Sequence, residues 1–230
     1  AAADCTPALP FAAELAELEG PDRLRKRPRQ ERSRALTRAI LEAVIRVLTR
    51  EGVDGLTTVR VAEVAGVSVG SLYQYFPNKH ALVAAALAHY LEELSEEVLD
   101  AIGSARGRPA RPALRDVVGA FIRSKSQLSV SARALRPIMA DGTHDALVRA
   151  TRERVVTEVA RLFAEAPDLR LADPAEAAWI LVAAIEGVAN AALVDAPGEG
   201  NASRLEETTL ALALGFLDAR SASVEAVAQA

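Results

Sequence analysis

A chain of 230 residues, half of them hydrophobic and 4% aromatic, can bury a sizeable core, and its wealth of Ala and Leu suits an all-α protein. The formal net charge of −4 conceals an asymmetry: residues 21–90 hold 12 Lys+Arg against 6 Asp+Glu (+6), while residues 91–230 hold 15 against 21 (−6). The single cysteine, Cys5, excludes an internal disulfide; with no basic-then-apolar leader and no run of 18 uninterrupted apolar residues, the expectation is a cytoplasmic protein without a membrane segment.

In chain order, residues 1–20 are acidic and Ala-rich, with disorder expected before about Phe11. The run Arg23 to Arg34 carries seven basic residues and one acid, and Pro28 argues for an extended arm. A solvated tail is one reading of it. An arm placed directly before a DNA-reading domain also reaches phosphates or the minor groove, which makes Arg27 and Arg29 candidate contacts. The first helix reads from about Gln30 to Arg50, with Leu36, Ile40, Val44, Val47 and Leu48 as its buried stripe and Gly52 after its end.

Two short helical patterns follow, separated by a glycine-containing corner. Thr57 or Thr58 can cap the first, since a hydroxyl there accepts an otherwise orphan N–H. Val61, Ala62 and Ala65 share one face, and Gly66 stands where the helix must end left-handed. Ser68 is placed to cap the second helix, from which Leu72 and Phe76 turn inward. Val69, Gly70, Ser71, Tyr73, Gln74 and Tyr75 are left on or beside an outer face free of Lys and Glu. This is the pattern of a helix-turn-helix, which sets one helix in the major groove of DNA; a helical hairpin inside a larger bundle is the competing reading. Pro77 stops the second helix and Asn78 caps the next, beside the point charge of Lys79.

The run Gly-Ser-Leu-Tyr-Gln-Tyr-Phe-Pro-Asn-Lys at residues 70–79, preceded by Leu-Thr-Thr and Ala-Gly-Val-Ser, resembles the DNA-binding domain of the TetR family of bacterial transcriptional regulators. The resemblance spans Ala35 to about Tyr90, roughly a quarter of the chain. It implies DNA contacts at Thr57, Ser71, Tyr73, Tyr75 and Lys79. With Thr58, Ser68, Gly70 and Gln74 these are the candidate DNA-binding residues: Gln74, which can pair with an adenine edge, Ser71 and Tyr73 are expected at base edges or the groove floor, and Thr57, Tyr75 and Lys79 at phosphates. Val59 and Val69 stand where some relatives carry polar or charged groups, which puts base reading at those positions in doubt.

The fourth helix is expected from Asn78 to about Ile102, and the Gly- and Pro-rich stretch 103–112 reads as a break. Further helices are predicted from Ala113 to about Val130, around Leu135, Ile138 and Met139, from Thr143 to Glu165, from Pro174 (capped by Asp173) to about Val194, and from about Ala202 to Ala219. No stretch alternates as a strand would. The stretch Ala177 to Ile185 is apolar all round and the last helix is nearly as greasy, so both demand cover and suggest a subunit interface. The resemblance implies a homodimer through these last two helices, and a small-molecule effector site in the C-terminal half. Candidates for that site are Phe121, Met139, Trp179, Glu186 and Asn190, with core packing or cross-dimer hydrogen bonds as the competing roles.

No enzyme is expected: there is no Gly-rich phosphate loop and no nucleophile elbow, and His80 and His89 lack the spacing of a helical zinc pair. Asp141, His144 and Asp145 read as a helix start, with Thr143 as its cap, rather than a metal site; no cofactor is implied. The expected organisation is a flexible arm (1–29), a helix-turn-helix domain (30–77), a connecting helix (78–102) and a ligand-binding and dimerisation domain (103–230). The reading is a ligand-responsive repressor that binds a palindromic double-stranded operator and is released by a small, largely apolar effector. A helical interaction protein, or an activator on the same fold, is the alternative.

Overall fold

The computed structural model describes residues 31–195 and 202–228. The expected disorder of the N-terminus, and the arm residues Arg27 and Arg29, lie outside the described residues. The protein is all-α, and the described residues contain no strand. The helices are α1 (Glu31–Gly55), α2 (Thr58–Ala65), α3 (Val69–Tyr73), α4 (Lys79–Ala105), α5 (Ala110–Gln127), α6 (Ser129–Ala140), α7 (Asp145–Glu165), α8 (Pro174–Ala189) and α9 (Ala202–Ala228), with a π-helical turn, Asn190–Asp195, following α8. Helix α1 changes direction at Gly52, whose φ of 70° and ψ of −171° leave helical space.

Two compact units share the chain. One comprises residues 31–92 with Ser131–Val148, the other Glu93–Val130 with residues 149–228. The first is built on Ile40, Val44, Val47, Leu56, Val61, Leu72 and Phe76, all at most 1% exposed. The second is built on Ile102, Leu114, Val118, Ile122, Leu162, Ala178 and Leu181. Helix α6 and the turn after it thus group with the N-terminal unit, so the units divide the chain differently from a boundary at residue 103.

Three local expectations need correction. The break at 103–112 shrinks to residues 106–109. Helix α4 runs on through Gly103 because Ile102 and Ala105 are buried, and that packing outweighs the glycine cost of about 0.5–1 kcal/mol. Helix α5 starts early because the Ala110 N–H donates to Asp168 Oδ1 (2.7 Å), while Pro112 sits in the first turn, where no N–H is required. Thr143 does not begin α7, which starts at Asp145; instead the Thr143 N–H donates to Asp141 Oδ1 (2.8 Å) in the preceding turn. Hydrogen bonds from the Thr143 backbone and hydroxyl hold the Asp141 carboxyl below the usual carboxylate range. The last helix continues past Ala219 to Ala228.

Asp173 caps α8 through Oδ1, accepting from the Ala175 and Glu176 N–H groups, with Pro174 in the first turn. Along α8 and into the π-helical turn that follows it, Trp179, Ala183, Gly187 and Ala191 form an exposed stripe at four-residue spacing. Helix α9 exposes Ala211, Leu212, Gly215 and Ala219. A Cβ added at Gly187 or Gly215 would meet nothing within 4 Å. The apolar face that ought to be covered is therefore open in the single subunit. By length and composition Pro174–Val194 also suffices to cross a membrane, with a third of the span buried against protein.

Candidate nucleic-acid interface

The corner between α2 and α3 is made by groups close in sequence. Thr57, in extended backbone, accepts the Arg60 N–H on Oγ1 at 3.1 Å and so caps α2. Helix α2 ends on Gly66 at φ 70° and ψ 31°, where the Gly66 N–H donates to Glu63 O and the Val67 N–H to Ala62 O. That is the paired ending for which glycine is favoured, because a Cβ would strain the left-handed residue. Ser68 Oγ then accepts the Ser71 N–H (3.0 Å) and pairs with Ser71 Oγ (2.8 Å), capping α3. Leu72 and Phe76, both fully buried, pin this short helix to the core.

Thr57, Ser68, Gly70, Tyr73 and Gln74 are exposed on the outer side, and Thr58 and Ser71 are half-buried. The Tyr73 hydroxyl lies 3.1 Å from Thr58 Oγ1, tying α3 back to the start of α2. Asn78 Oδ1 accepts the Ala81 N–H (2.7 Å) and caps α4, while Lys79 Nζ donates to Val53 O at 3.3 Å. These residues share the first unit and the end of one hairpin.

Tyr75 is the exception. The residue is 7% exposed and its hydroxyl stands 2.8 Å from Ser33 Oγ on α1, so it faces the core rather than the outer face. The geometry makes it a brace between the hairpin and α1. Sequence reasoning also passed over Arg60. It pairs with Glu51 (2.8 Å) and Glu63 (3.1 Å), and those carboxylates raise its pKa above the ordinary arginine value. Its charge is thereby matched locally, although its i,i+3 relation to Glu63 was visible in the sequence. Between residues 56 and 80 the charged side chains besides this set reduce to Lys79. Val59 is 51% exposed on the same hairpin.

The expected effector residues are divided between the two units. Met139 belongs to the first unit, Phe121, Trp179, Glu186 and Asn190 to the second. Trp179 is 59% exposed, on the open stripe of α8. Asn190 is also exposed, at the end of α8. Phe121 packs partly buried on the second core, and Glu186 accepts from Arg152 Nε at 2.8 Å. Overlooked was Lys125, 7% exposed. It falls at helical spacing on the apolar stripe of Leu114, Val118, Phe121 and Ile122, which was the signal available. Burial pushes the Lys125 ammonium pKa down, and Glu186 pulls in the opposite direction. Among the described residues no group of three or more His, Cys, Asp or Glu side chains is assembled to hold a metal ion.

Comparison with known proteins agrees with this arrangement. Residues 40–86 match the family model for bacterial regulatory proteins of the tetR family, and residues 109–217 match that of a tetracyclin repressor-like C-terminal domain. The HTH-type transcriptional regulator BetI of Burkholderia cenocepacia (strain HI2424) is 30% identical over 156 residues, covering 65% of this chain and 77% of the relative. The HTH-type transcriptional repressor KstR of Mycolicibacterium smegmatis is 34% identical over 79 residues, 34% of this chain and 38% of that one. Among solved structures, GusR of Salmonella enterica has a TM-score of 0.64 at 19% identity, over 83% of this chain and 98% of its own. A TetR-like transcriptional regulator from Rhodococcus sp. RHA1 has a TM-score of 0.59 at 22% identity, over 82% and 97%. At those identities the two structures speak for the fold.

Proposed function

The chain belongs to the TetR family of bacterial transcriptional regulators, DNA-binding factors rather than enzymes, and on that premise we propose that it is a cytoplasmic homodimeric repressor released from a palindromic operator by a small effector. The observation that carries this reading is the outer face of the hairpin. Gly70 allows the backbone close to DNA, Gln74 is exposed for a base edge, and Ser71 and Tyr73 offer hydroxyls to the groove or its phosphates. Thr57 and Lys79 flank them as phosphate contacts, Lys79 leaving the Val53 carbonyl to do so.

The open small-residue stripes of α8 and α9 support self-association: two copies form a four-helix bundle in which Trp179, Gly187, Leu212 and Gly215 are covered. Covering by a second copy also accounts for a helix of membrane-spanning apolarity without invoking a bilayer. Such a dimer presents two α3 helices, and a separation of about 34–36 Å matches one turn of DNA. Release requires that the effector bind one dimer geometry better than the other, since equal affinity shifts nothing.

The test is selection of binding sites from genomic fragments by the purified protein, titrated against salt. An inverted repeat bound by a dimer, with affinity falling steeply as salt rises, is expected. A protein that stays a single subunit, or that ignores every duplex at low ionic strength, overturns the reading.

A further inference from the structure

The exposed large apolar side chains among the described residues are Val59, Tyr73, Val130, Trp179 and Leu212. Trp179 and Leu212 belong to the stripes of α8 and α9 that a second copy covers, and Val130 stands by itself at the start of α6. A single exposed valine is ordinary and means nothing alone. Val59 and Tyr73 differ because they share the hairpin. Thr58, the residue before Val59, has its Oγ1 3.1 Å from the Tyr73 hydroxyl, which ties the first turn of α2 to the outer face of α3.

Helix α2 has two flanks of opposite character. Its core face is Val61 and Ala62. On the flank beside α1, Arg60 Nε donates to Glu51 (2.8 Å) and the Val64 carbonyl accepts from Arg46 (3.4 Å). At helical spacing Val59 and Glu63 fall on the other flank, and both are exposed. The carboxylate of Glu63 is matched there by Arg60 (3.1 Å). The hydroxyls nearby are engaged as well, Thr57 in capping α2 and Thr58 with Tyr73. What the first turn of α2 has left to offer a base edge is the valine. A valine in a helix holds essentially one χ1 rotamer, so its two methyl groups present a fixed surface with little side-chain entropy to lose.

In the major groove one base-edge group is apolar, the 5-methyl of thymine. Resting on the DNA-binding reading above, we propose that Val59 is a specificity-determining residue that packs on a thymine methyl, so that α2 reads one pyrimidine in each half-site beside the bases read by α3. Cytosine in its place presents an amino donor and no methyl, and against Val59 that donor finds no acceptor.

Deoxyuridine keeps every hydrogen-bonding group of thymidine and lacks only the methyl, which makes it the probe. In the operator recovered by site selection, each thymine position is replaced by deoxyuridine in turn, in both half-sites, and binding is followed by fluorescence anisotropy. One position is expected at which loss of the methyl weakens the native protein about four-fold per half-site, the worth of one buried carbon. At that position Val59→Ala should bind the two duplexes alike, and Val59→Ile should keep the preference. Circular dichroism, with binding to an unrelated duplex at low salt, establishes that each variant is folded and still docks on DNA. Indifference to the methyl at every position, a consensus without thymine, or a methyl preference that survives Val59→Ala at every position overturns the proposal while operator binding stands. A protein that binds no duplex at all fails the DNA-binding reading itself, and this one with it.

Discussion

The Tyr75 hydroxyl lies 2.8 Å from Ser33 Oγ, joining the residue just beyond the recognition helix to the first turns of α1, 42 positions earlier in the chain. Because α3 has five residues and cannot hold its own conformation, its placement depends on anchors of this kind together with Leu72 and Phe76. The outer face reads DNA only as accurately as the inner face fixes it.

Tyr75→Phe keeps the buried ring and deletes the hydroxyl. The variant should lose about 0.5–1.5 kcal/mol of stability, the net value of one hydrogen bond, in urea unfolding of the DNA-free protein. Operator affinity should fall with it, without change in sequence preference. A Tyr75 that served as a phosphate contact would instead leave the stability of the free protein unaltered.

Lys79→Ala should weaken binding to all sequences alike. Removing one phosphate contact lowers the slope of log affinity against log salt by about one unit. The check is anisotropy at several salt concentrations on two unrelated operators. A loss confined to one operator would assign Lys79 to base reading.

Gln74→Ala should relax preference at a single base pair in each half-site, costing about 1–3 kcal/mol against the best sequence. A site selection repeated with the variant reads this directly. An unchanged consensus would remove Gln74 from recognition.

The hairpin was legible in the sequence because its determinants are local. Thr57, Gly66 and Ser68 act on groups at most five residues away, and Leu72 and Phe76 pair within one turn. What failed to read out depends on distant partners. The burial of Tyr75 needs Ser33, and the early start of α5 needs the Asp168 carboxylate from 58 positions away. The exposure of Trp179 was not legible either, because apolarity alone does not say which side of a helix faces its own subunit. Lys125 was overlooked because a lysine on an apolar stripe is usually a side chain reaching out to water, and only the surrounding helices show that this one is enclosed.

Gly187→Leu examines the α8–α9 face. An added side chain meets nothing within 4 Å in the single subunit, so the fold should tolerate it. In a bundle where this stripe lies against a second copy, leucine forces the helices apart. Analytical ultracentrifugation should show a folded monomer whose operator affinity is reduced to that of one half-site. A variant that remains a dimer places the subunit contact elsewhere.

Lys125→Met should change stability in a pH-dependent way. Burial holds the folded-state pKa of Lys125 below that of the unfolded chain. At pH values below the folded-state pKa both states carry the proton, and the folded state bears the cost of enclosing the charge, which Glu186 offsets in part. Between the folded-state and unfolded values the unfolded chain binds more protons, so stability rises with pH until the ordinary lysine range is reached. The methionine variant lacks this dependence. It should be the more stable protein at neutral pH, with the advantage shrinking as pH is raised toward the unfolded lysine value. Urea unfolding of both proteins at a series of pH values from neutral to that range measures the difference. An advantage that stays constant would mean that the proton on Lys125 is not coupled to folding, and a loss of stability at neutral pH would make its ammonium a structural partner inside the second core.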